Sequence, residues 1–377
     1  MRPPLDALAL PHHISKVARP YDRGLEFGSQ NAESVANTLA VYDRLFSIAG
    51  WMSAPLRAFG EEVRQLLEAR YPDVSAEIDG IADGAGKPRT DLFAANARTE
   101  LLASPVGECS TIAIVPGEGT SSPCILAQNW DYHPDLRPSR IIWQVEREQG
   151  WFVTFTEAGI LGKIGINQHG LGMCLNSLKT TADRAGVRTP IHVLLRLVLQ
   201  NCPSVAEAET MLSREAVSAS ACVTLGQVVD ARSVVSCVEL SPGGATVIHA
   251  SRGEAFVHTN HFLVPPRAGT DVIAVTWPDT HERRDHLVAA LKAGSGPPDV
   301  AAVERLLKSH GGRERSVCCH APAVDPYQDR SETLASVIID LRARRFLVSN
   351  GAPCENSYTQ YASRQVDEPR ASPRLSA

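Results

Sequence analysis

The feature that most restricts the fold of this chain is a series of short apolar runs between residues 109 and 176. The runs are rich in β-branched and aromatic residues, and turns that contain glycine or proline separate them at hairpin-length spacing. Such short connections leave no room for the crossover that parallel neighbours require, so the spacing predicts antiparallel strands. The predicted strands are residues 111–115, 125–129, 141–146, 152–156, 164–167 and 171–176.

Helical patterns surround this series, and a second batch of strands follows it. Residues 1 to about 105 read as mostly helical, and in 34–46 the apolar residues recur at spacings of 4, 3 and 4, as on one face of a helix. The predicted helices are 34–46, 56–69, 74–85, 90–102, 191–200, 205–214, 280–293 and 300–308. The predicted later strands are 223–229, 234–240, 246–250, 255–259, 333–340 and 346–349. We expect one domain in which two antiparallel sheets pack together and helices cover the outside.

The composition excludes several classes of protein. A net charge of −5 and a pI near 6.2 argue against nucleic acid or an anionic membrane as the main partner. No run approaches the roughly 20 apolar residues of a membrane-spanning helix, and residues 1–6 do not resemble a secretory signal. Nine scattered cysteines, mostly inside apolar runs, predict reduced thiols in a cytoplasmic protein. Residues 363–377 are predicted to form a disordered polar tail.

Cys109 stands where the helical region gives way to the first predicted strand. If the Glu108–Cys109 bond is cut, Cys109 gains an α-amine beside its own thiol, and one residue then supplies both nucleophile and base. An α-amine titrates near ~8, so a useful fraction is unprotonated at neutral pH and can accept the thiol proton. The alternative interpretation of a cysteine at this place is a small buried residue of the core.

Three polar residues at the ends of other predicted elements are candidates to act with Cys109. Asp131 ends the strand that returns toward Cys109, where its carboxylate would hold or orient the amine. Asn260 follows the strand 255–259 and would aim a side-chain N–H at a developing oxyanion. Arg283, at the start of a predicted helix, would bind a substrate carboxylate or neutralise Asp131. The alternative interpretations are that Asp131 is a turn residue, that Asn260 caps the end of a strand and that Arg283 is solvated.

Histidines and cysteines raise a separate hypothesis, a metal-dependent hydrolase that uses His258, His261 and Cys319. Residues at i and i+3 on a strand point to opposite faces, which disfavours a metal shared by the two histidines. Adjacent cysteines in a strand also face opposite ways, and no second pair stands at zinc-site spacing. The segment Cys318-Cys319-His320 is therefore interpreted as part of the core. We expect neither a metal nor a redox cofactor.

Seven segments, taken in their order and spacing, resemble the acyl-coenzyme A:6-aminopenicillanic acid acyltransferase family. This group is also called the isopenicillin-N acyltransferase or C45 peptidase family, and it belongs to the N-terminal nucleophile (Ntn) hydrolases. The resemblance extends from about Gly24 to Tyr361. The segments are EIDGIADGA at 77–85, NARTE at 96–100, CST at 109–111, QNWD at 128–131, GKIGIN at 162–167, HTNHF at 258–262 and GAPC at 351–354.

The resemblance implies an α+β fold, the four-layer αββα sandwich in which helices flank two stacked antiparallel sheets. It implies an α-subunit of residues 1–108 and a β-subunit of residues 109–362, which remain together as a heterodimer after self-cleavage. The implied partner is a small amide or an acyl thioester, with acyl-coenzyme A as a compatible donor and no cofactor. Assembly into a homo-oligomer is left open.

The resemblance also implies roles for particular residues. Cys109 would be the nucleophile and the first residue of the β-subunit, with Asp131 beside it. Asn260 would serve the oxyanion hole, and Asn176 would add a donor as in the related choloylglycine hydrolases. Arg283 would match the family's arginine, which stands three residues after the position that Thr280 occupies in this chain.

One departure from the family pattern opens an alternative function. Relatives commonly have glycine before the cysteine, whereas this chain has Glu108. A bulkier, charged residue would slow the attack of the Cys109 thiol on the preceding carbonyl. The main hypothesis is therefore a self-processing cysteine amidohydrolase or acyltransferase that acts on linear amides or acyl thioesters through a Cys109 thioester. The alternative is an uncleaved, catalytically silent binding or scaffold protein with the same fold.

Overall fold

The computed structural model of the protein describes residues 9–102, 109–120, 122–184, 186–294, 296, 298–311, 316–320 and 325–361. Glu108, on one side of the predicted cleavage site, and the predicted tail at 363–377 lie outside these described residues. Within the described part of the chain, no helix combines the length and the apolar character of a membrane-spanning segment.

The strands follow the predicted pattern closely. All the predicted strands are present, with ends that differ by at most three residues, whereas β1 and β14 below have no predicted counterpart. The strands are β1 (His12–Ser15), β2 (Ser110–Ile114), β3 (Ile125–Tyr132), β4 (Arg140–Arg147), β5 (Gly150–Glu157), β6 (Ile164–Asn167), β7 (Gly172–Ser177), β8 (Ala221–Val229), β9 (Arg232–Ser241), β10 (Gly244–His249), β11 (Ala255–His258), β12 (Glu332–Asp340), β13 (Arg345–Ser349) and β14 (Tyr358–Gln360).

The helices agree with the prediction except at three places. Helices α1 and α9 below have no predicted counterpart, and the single helix predicted at 90–102 is two helices, α5 and α6. The helices are α1 (Pro20–Gln30), α2 (Ala32–Ile48), α3 (Ser53–Arg70), α4 (Pro72–Gly84), α5 (Arg89–Asn96), α6 (Arg98–Leu101), α7 (Ile191–Asn201), α8 (Val205–Arg214), α9 (Ile273–Thr276), α10 (Asp279–Ala293) and α11 (Val300–Leu307).

The strands form two sheets. The larger sheet has the order β1-β4-β5-β6-β7-β8-β9-β10, and the smaller has the order β11-β2-β3-β12-β13-β14. Neighbours in both sheets are antiparallel, as predicted, except that β1 pairs with β4 in parallel. The chain between β1 and β4 includes six helices and a hairpin, which is long enough for the crossover that a parallel pair needs.

The layers follow the order helix, sheet, sheet, helix. Helices α7 and α8 contact the larger sheet through β5, β6, β8 and β9, while β2, β3 and β12 of the smaller sheet contact β6, β7 and β8. On the opposite side, Leu287 of α10 and Val303 and Leu307 of α11 pack against the apolar outer face of the smaller sheet, including Ile112 and Ile114. The predicted αββα sandwich is confirmed.

The helices before Cys109 are tied to the rest of the chain by a buried ion cluster. Helices α1 and α4 approach so closely that a Cβ at Gly24 would lie 2.1 Å from the carbonyl oxygen of Glu77, and a Cβ at Gly80 would meet a carbonyl of α1 at the same distance. Buried beside this contact, the Glu77 carboxylate accepts hydrogen bonds from Arg23 at 2.7 Å and from Arg196 of α7 at 2.6 Å. The segment 1–108 therefore has a charged anchor on α7.

Candidate active site

Cys109 lies directly before β2. It is therefore at the open end of the β2–β3 hairpin, far from the turn that joins the two strands. In this hairpin Ser110 pairs with Asn129, so the register brings Cys109 close to the end of β3. The Cys109 side chain is buried, with 4% of its surface exposed, and its Sγ is 4.0 Å from the backbone oxygen of Asp131. The predicted proximity of these two residues is thus a consequence of strand pairing.

Side chains from three other elements bind the backbone of Cys109. Its nitrogen donates to Asn260 Oδ1 at 2.8 Å. Its carbonyl oxygen accepts hydrogen bonds from Asn176 Nδ2 and from Arg283 Nη1, each at 3.1 Å. The structure therefore brings together Cys109, Asp131, Asn176, Asn260 and Arg283, the five residues that the sequence analysis singles out.

Asn260 has a different orientation from the one predicted. Its Oδ1, and not its N–H, faces Cys109, and it also accepts a hydrogen bond from Arg283 Nη2 at 3.1 Å. Its Nδ2 donates to the backbone oxygen of Ser177 at 3.1 Å. Two donors face Oδ1 and a carbonyl faces Nδ2, so the hydrogen bonds determine which way the amide points. Asn260 is positioned by its own backbone N–H, which donates to Thr280 Oγ1 at 2.8 Å.

Asn176 reaches the site from the other sheet. It lies on β7, is fully buried, and accepts a hydrogen bond from Thr111 Oγ1 at 2.7 Å through its Oδ1. This contact leaves Nδ2 directed at the Cys109 carbonyl oxygen. Asn176 therefore joins the two sheets at the level of the candidate nucleophile.

Arg283 projects from the first turns of α10 into the site. Only 2% of its surface is exposed, and Asp279 one turn earlier forms an ion pair with its Nε at 3.5 Å. Its Nη1 donates to Ser110 Oγ at 3.1 Å as well as to Cys109. A buried guanidinium with these partners fixes the backbone at the start of β2. Its burial excludes the alternative interpretation of Arg283 as a solvated residue.

Asp131 is fully buried at the end of β3, and a hydroxyl holds its carboxylate. Thr333 Oγ1 donates to Asp131 Oδ1 at 2.6 Å. The pairing of β3 with β12 shifts register between Thr333 and Ala335, which is the kind of irregularity that redirects a side chain beside an active site. Burial, with the Asp131 carboxylate as the second cause, raises the pKa of the Cys109 thiol to about 12.

A buried ion pair that the sequence analysis missed lies next to these residues. Lys163 is fully buried, pairs with Glu157, and places its Nζ 3.6 Å from the centre of the Trp130 ring. Burial favours the neutral form of Glu157, but Lys163 and Arg98 outweigh it and lower its pKa to about 2. The available signal was a lone charged residue inside the apolar, glycine-rich segment 162–167.

A cavity of about 790 Å³ adjoins the site. Tyr132 and Ser177, which follow Asp131 and Asn176 in the sequence, form part of its wall. Trp51 and several ionisable residues, among them Lys179, also line the cavity. The volume is in the range of pockets that hold small organic ligands, so the cavity is the candidate binding site for a substrate.

The residues of the metal-dependent alternative have separate partners. His258 Nε2 lies 3.1 Å from Glu239 Oε1. The centres of the His261 and His281 rings are 4.0 Å apart with the rings tilted, and Cys319 Sγ contacts the backbone oxygen of Ser331 at 3.4 Å. These three side chains therefore do not build the hydrolytic metal site.

The interpretation of Cys318-Cys319-His320 as core is confirmed for the two cysteines, which are buried. It is wrong for His320, whose side chain is 44% exposed. The segment is irregular and not a strand, so residue 320 is released to the surface.

Comparisons with known proteins identify the class and then the family. A sequence profile described as acyl-coenzyme A:6-aminopenicillanic acid acyl-transferase matches residues 117–354, more than half of the chain. The αββα fold agrees with this match, and the chain is an enzyme of the acyltransferase class. The chain belongs to the acyl-coenzyme A:6-aminopenicillanic acid acyltransferase family.

Individual relatives show the extent of the similarity. The chain is 26% identical over 351 residues to the acyl-coenzyme A:6-aminopenicillanic-acid-acyltransferase 40 kDa form of Emericella nidulans. This alignment covers 90% of this chain and 93% of that protein. A mutant conjugated bile acid hydrolase from Clostridium perfringens aligns with 68% of this chain and 97% of its own, at 13% identity and a TM-score of 0.45. Penicillin V acylase from Agrobacterium tumefaciens aligns with 63% of this chain and 82% of its own, at 16% identity and a TM-score of 0.43.

Proposed function

We propose that this chain is a self-processing cysteine amidohydrolase or acyltransferase whose mature form begins at Cys109. The observation that carries the proposal is the set of side-chain hydrogen bonds on the Cys109 backbone: Asn260 Oδ1 accepts from its nitrogen, and Asn176 and Arg283 donate to its oxygen. A cysteine that only fills space in a core does not need buried amide and guanidinium groups directed at its backbone. A residue that must present an α-amine in a fixed place does.

The proposed cleavage begins with attack of Cys109 Sγ on the carbonyl carbon of Glu108. The peptide C–N bond breaks, a C–S thioester bond forms, and the thiol proton passes to the departing nitrogen, which becomes the α-amine of Cys109. Water then hydrolyses the thioester, releasing the carboxyl group of Glu108 and restoring the thiol. The products are residues 1–108 and 109–377, and the ion pair between Glu77 and Arg196 joins the two.

Cleavage changes the chemistry of the thiol. In the continuous chain, burial raises the pKa of the Cys109 thiol to about 12, so the thiol is protonated at pH 7. The cleaved chain has an amine on the same residue, close enough to take the thiol proton as a general base. The Cys109 nitrogen already donates to Asn260 Oδ1, so the amine is oriented once it forms.

The catalytic cycle that we propose runs through a thioester on Cys109. The sulfur attacks the acyl carbon of the substrate, and the α-ammonium returns its proton to the leaving amine or thiol. Water or a second amine then accepts the acyl group. In the observed orientation Asn260 holds the amine, and a role of its N–H at the oxyanion would require that group to release the Ser177 carbonyl.

The cavity supports a small amide or acyl thioester as substrate. Its wall combines apolar surface from Trp51, Leu101 and Leu178 with charged side chains of both signs, namely Arg98, Lys179, Arg184, Glu100 and Asp183. Such a wall suits a ligand with an apolar acyl group and a polar or anionic remainder, and acyl-coenzyme A is one donor of this kind. The proposed chemistry needs no other cofactor.

Intact-mass measurement of the purified protein tests the processing step and decides between the two functional hypotheses. We expect two species, residues 1–108 and residues 109–377, that elute together in size-exclusion chromatography under native conditions. A single 40.6 kDa chain that also fails to react with a thiol-directed acylating reagent would favour the uncleaved scaffold protein.

A further inference from the structure

Four potential metal ligands from three segments meet at one point on the surface. His310 follows α11, Cys318 and His320 belong to the next described segment, and Cys354 follows β13. The ligand atoms of these four residues all lie within 4.8 Å of one another. All four residues belong to the described part of the chain.

Four of the six separations between these atoms are close to the edges of a tetrahedron around zinc, and the other two are within 4.8 Å. Bond lengths of roughly 2.3 Å to sulfur and roughly 2.0–2.1 Å to nitrogen imply edges of roughly 3.3–3.8 Å. The two Sγ atoms are 3.5 Å apart, and the two Nε2 atoms are 3.2 Å apart. His320 Nε2 lies 3.7 Å from Cys318 Sγ and 3.2 Å from Cys354 Sγ.

We propose that His310, Cys318, His320 and Cys354 bind one divalent zinc-class ion in a tetrahedral Cys2His2 site. Two thiolates and two imidazoles are the ligand set of structural zinc sites, whereas calcium and magnesium require oxygen ligands. Four protein ligands leave no open position for a substrate or water, so the ion is structural and not catalytic. The site departs from the expectation that the protein binds no metal.

The surroundings of the cluster support a built site. Cys318 is buried, and its backbone is held on both sides, because its N–H donates to the Ser309 oxygen at 3.0 Å and its carbonyl accepts from Ser316 Oγ at 2.7 Å. The other ring nitrogen of His320, Nδ1, lies 3.9 Å from Glu355 Oε1. A carboxylate beside the second nitrogen of a histidine ligand is the usual outer partner in zinc sites. The exposed histidines give an ion access from solvent.

The proposed metal site is connected to Asp131 by a short hydrogen-bonded path. Cys319, next to the ligand Cys318, donates its N–H to Thr333 Oγ1 at 2.8 Å, and this hydroxyl donates to Asp131 Oδ1 at 2.6 Å. The Thr333 N–H returns a bond to the Cys319 oxygen at 2.9 Å. Metal binding would therefore hold in place the segment that positions Asp131. This consequence for activity rests on the proposed function, whereas the metal site does not.

Metal analysis of the full-length protein tests the site. We expect about one zinc per chain after purification without chelator, and a thiolate-to-metal charge-transfer band when cobalt(II) replaces zinc. Cys318→Ser, Cys354→Ser and His310→Ala should each lower zinc affinity at least about 100-fold in competition with a chromophoric chelator. Cys124→Ser removes a buried cysteine at the end of β3 opposite Asp131, and this variant should keep one zinc per chain.

Two results would overturn the site: protein with no bound zinc and a cobalt spectrum without the thiolate band, or a Cys318–Cys354 disulfide in protein kept under reducing conditions. The inactive variant Cys109→Ala should still bind zinc in equal amount. Zinc binding without any acyl transfer would therefore refute the proposed function and leave the metal site standing. Activity of zinc-free protein equal to that of zinc-loaded protein would refute the proposed effect of the metal on Asp131 and on activity.

Discussion

Replacement of Cys109 by alanine is expected to abolish both chain cleavage and enzymatic activity. The substitution removes the sulfur that would attack the carbonyl of residue 108 and the substrate, while the buried side chain loses only one atom. Loss of the nucleophile of a serine protease lowers kcat by about 10⁶-fold, and a loss of this size would bring activity to background. The measurements are the intact mass of the variant, expected as one chain, and its turnover of the best substrate found for the wild type.

Cys124 provides the matched control for this experiment. Cys124 is also buried, but it precedes β3 at the end opposite Asp131. The variant Cys124→Ala should be cleaved and active. Turnover that persists in Cys109→Ala at more than a small fraction of the wild-type rate would rule out Cys109 as nucleophile.

Replacement of Asp131 by asparagine is expected to lower kcat/KM by about 10²- to 10⁴-fold. The carboxylate is buried beside Cys109, where it would hold the ammonium form of the amine during the reaction. The same charge opposes thiolate formation and contributes to the raised pKa of Cys109. The substitution should therefore slow catalysis and, at the same time, make the thiol of the uncleaved chain easier to ionise.

The easier ionisation of the Cys109 thiol can be measured through the pH dependence of its alkylation. Mass spectrometry separates the uncleaved chain from the fragment, so the rate for Cys109 in the uncleaved species can be followed against pH. We expect the profile of Asp131→Asn to shift to lower pH relative to the wild type. Asp340→Asn changes a buried carboxylate at the far end of β12 and should shift neither kcat/KM nor the profile. An unchanged profile in Asp131→Asn would mean that the carboxylate does not act electrostatically on Cys109.

Much of the fold could be predicted because the informative patterns are local. Alternation and turn residues identify strands such as β4 and β5 directly, and helical spacing identifies α2. The missed strand β1 has only four residues and pairs in parallel with a distant partner, so no hairpin marks it. The long helix predicted at 90–102 ends at Asn96, whose side chain donates to the Gly159 oxygen at 2.8 Å, a contact that sequence periodicity cannot indicate.

The candidate site was predictable to the extent that strand ends determine it. Cys109 and Asp131 meet through the register of one hairpin, which sequence spacing indicates. The orientation of Asn260 depends on Ser177 and Arg283, which arrive from other parts of the chain, so the pattern around residue 260 could not show it.

The ligands of the proposed zinc site were missed for a related reason. Spacing rules for zinc sites search for pairs of ligands close in sequence. Here Cys318 and His320 form such a pair, but His310 and Cys354 are contributed by the end of α11 and by the turn after β13. The four side chains come together because α11 packs on the smaller sheet, to which β13 belongs.

During catalysis Cys109, as the first residue of a processed fragment, is expected to carry the acyl group. The most direct test is to quench the protein with acid during turnover of a panel of amides and acyl thioesters, and to locate any acyl adduct by mass spectrometry. We expect a fragment that begins at Cys109 and carries one acyl group as a thioester on that residue. Turnover with the acyl group on another residue, or an adduct confined to the uncleaved chain, would contradict this expectation.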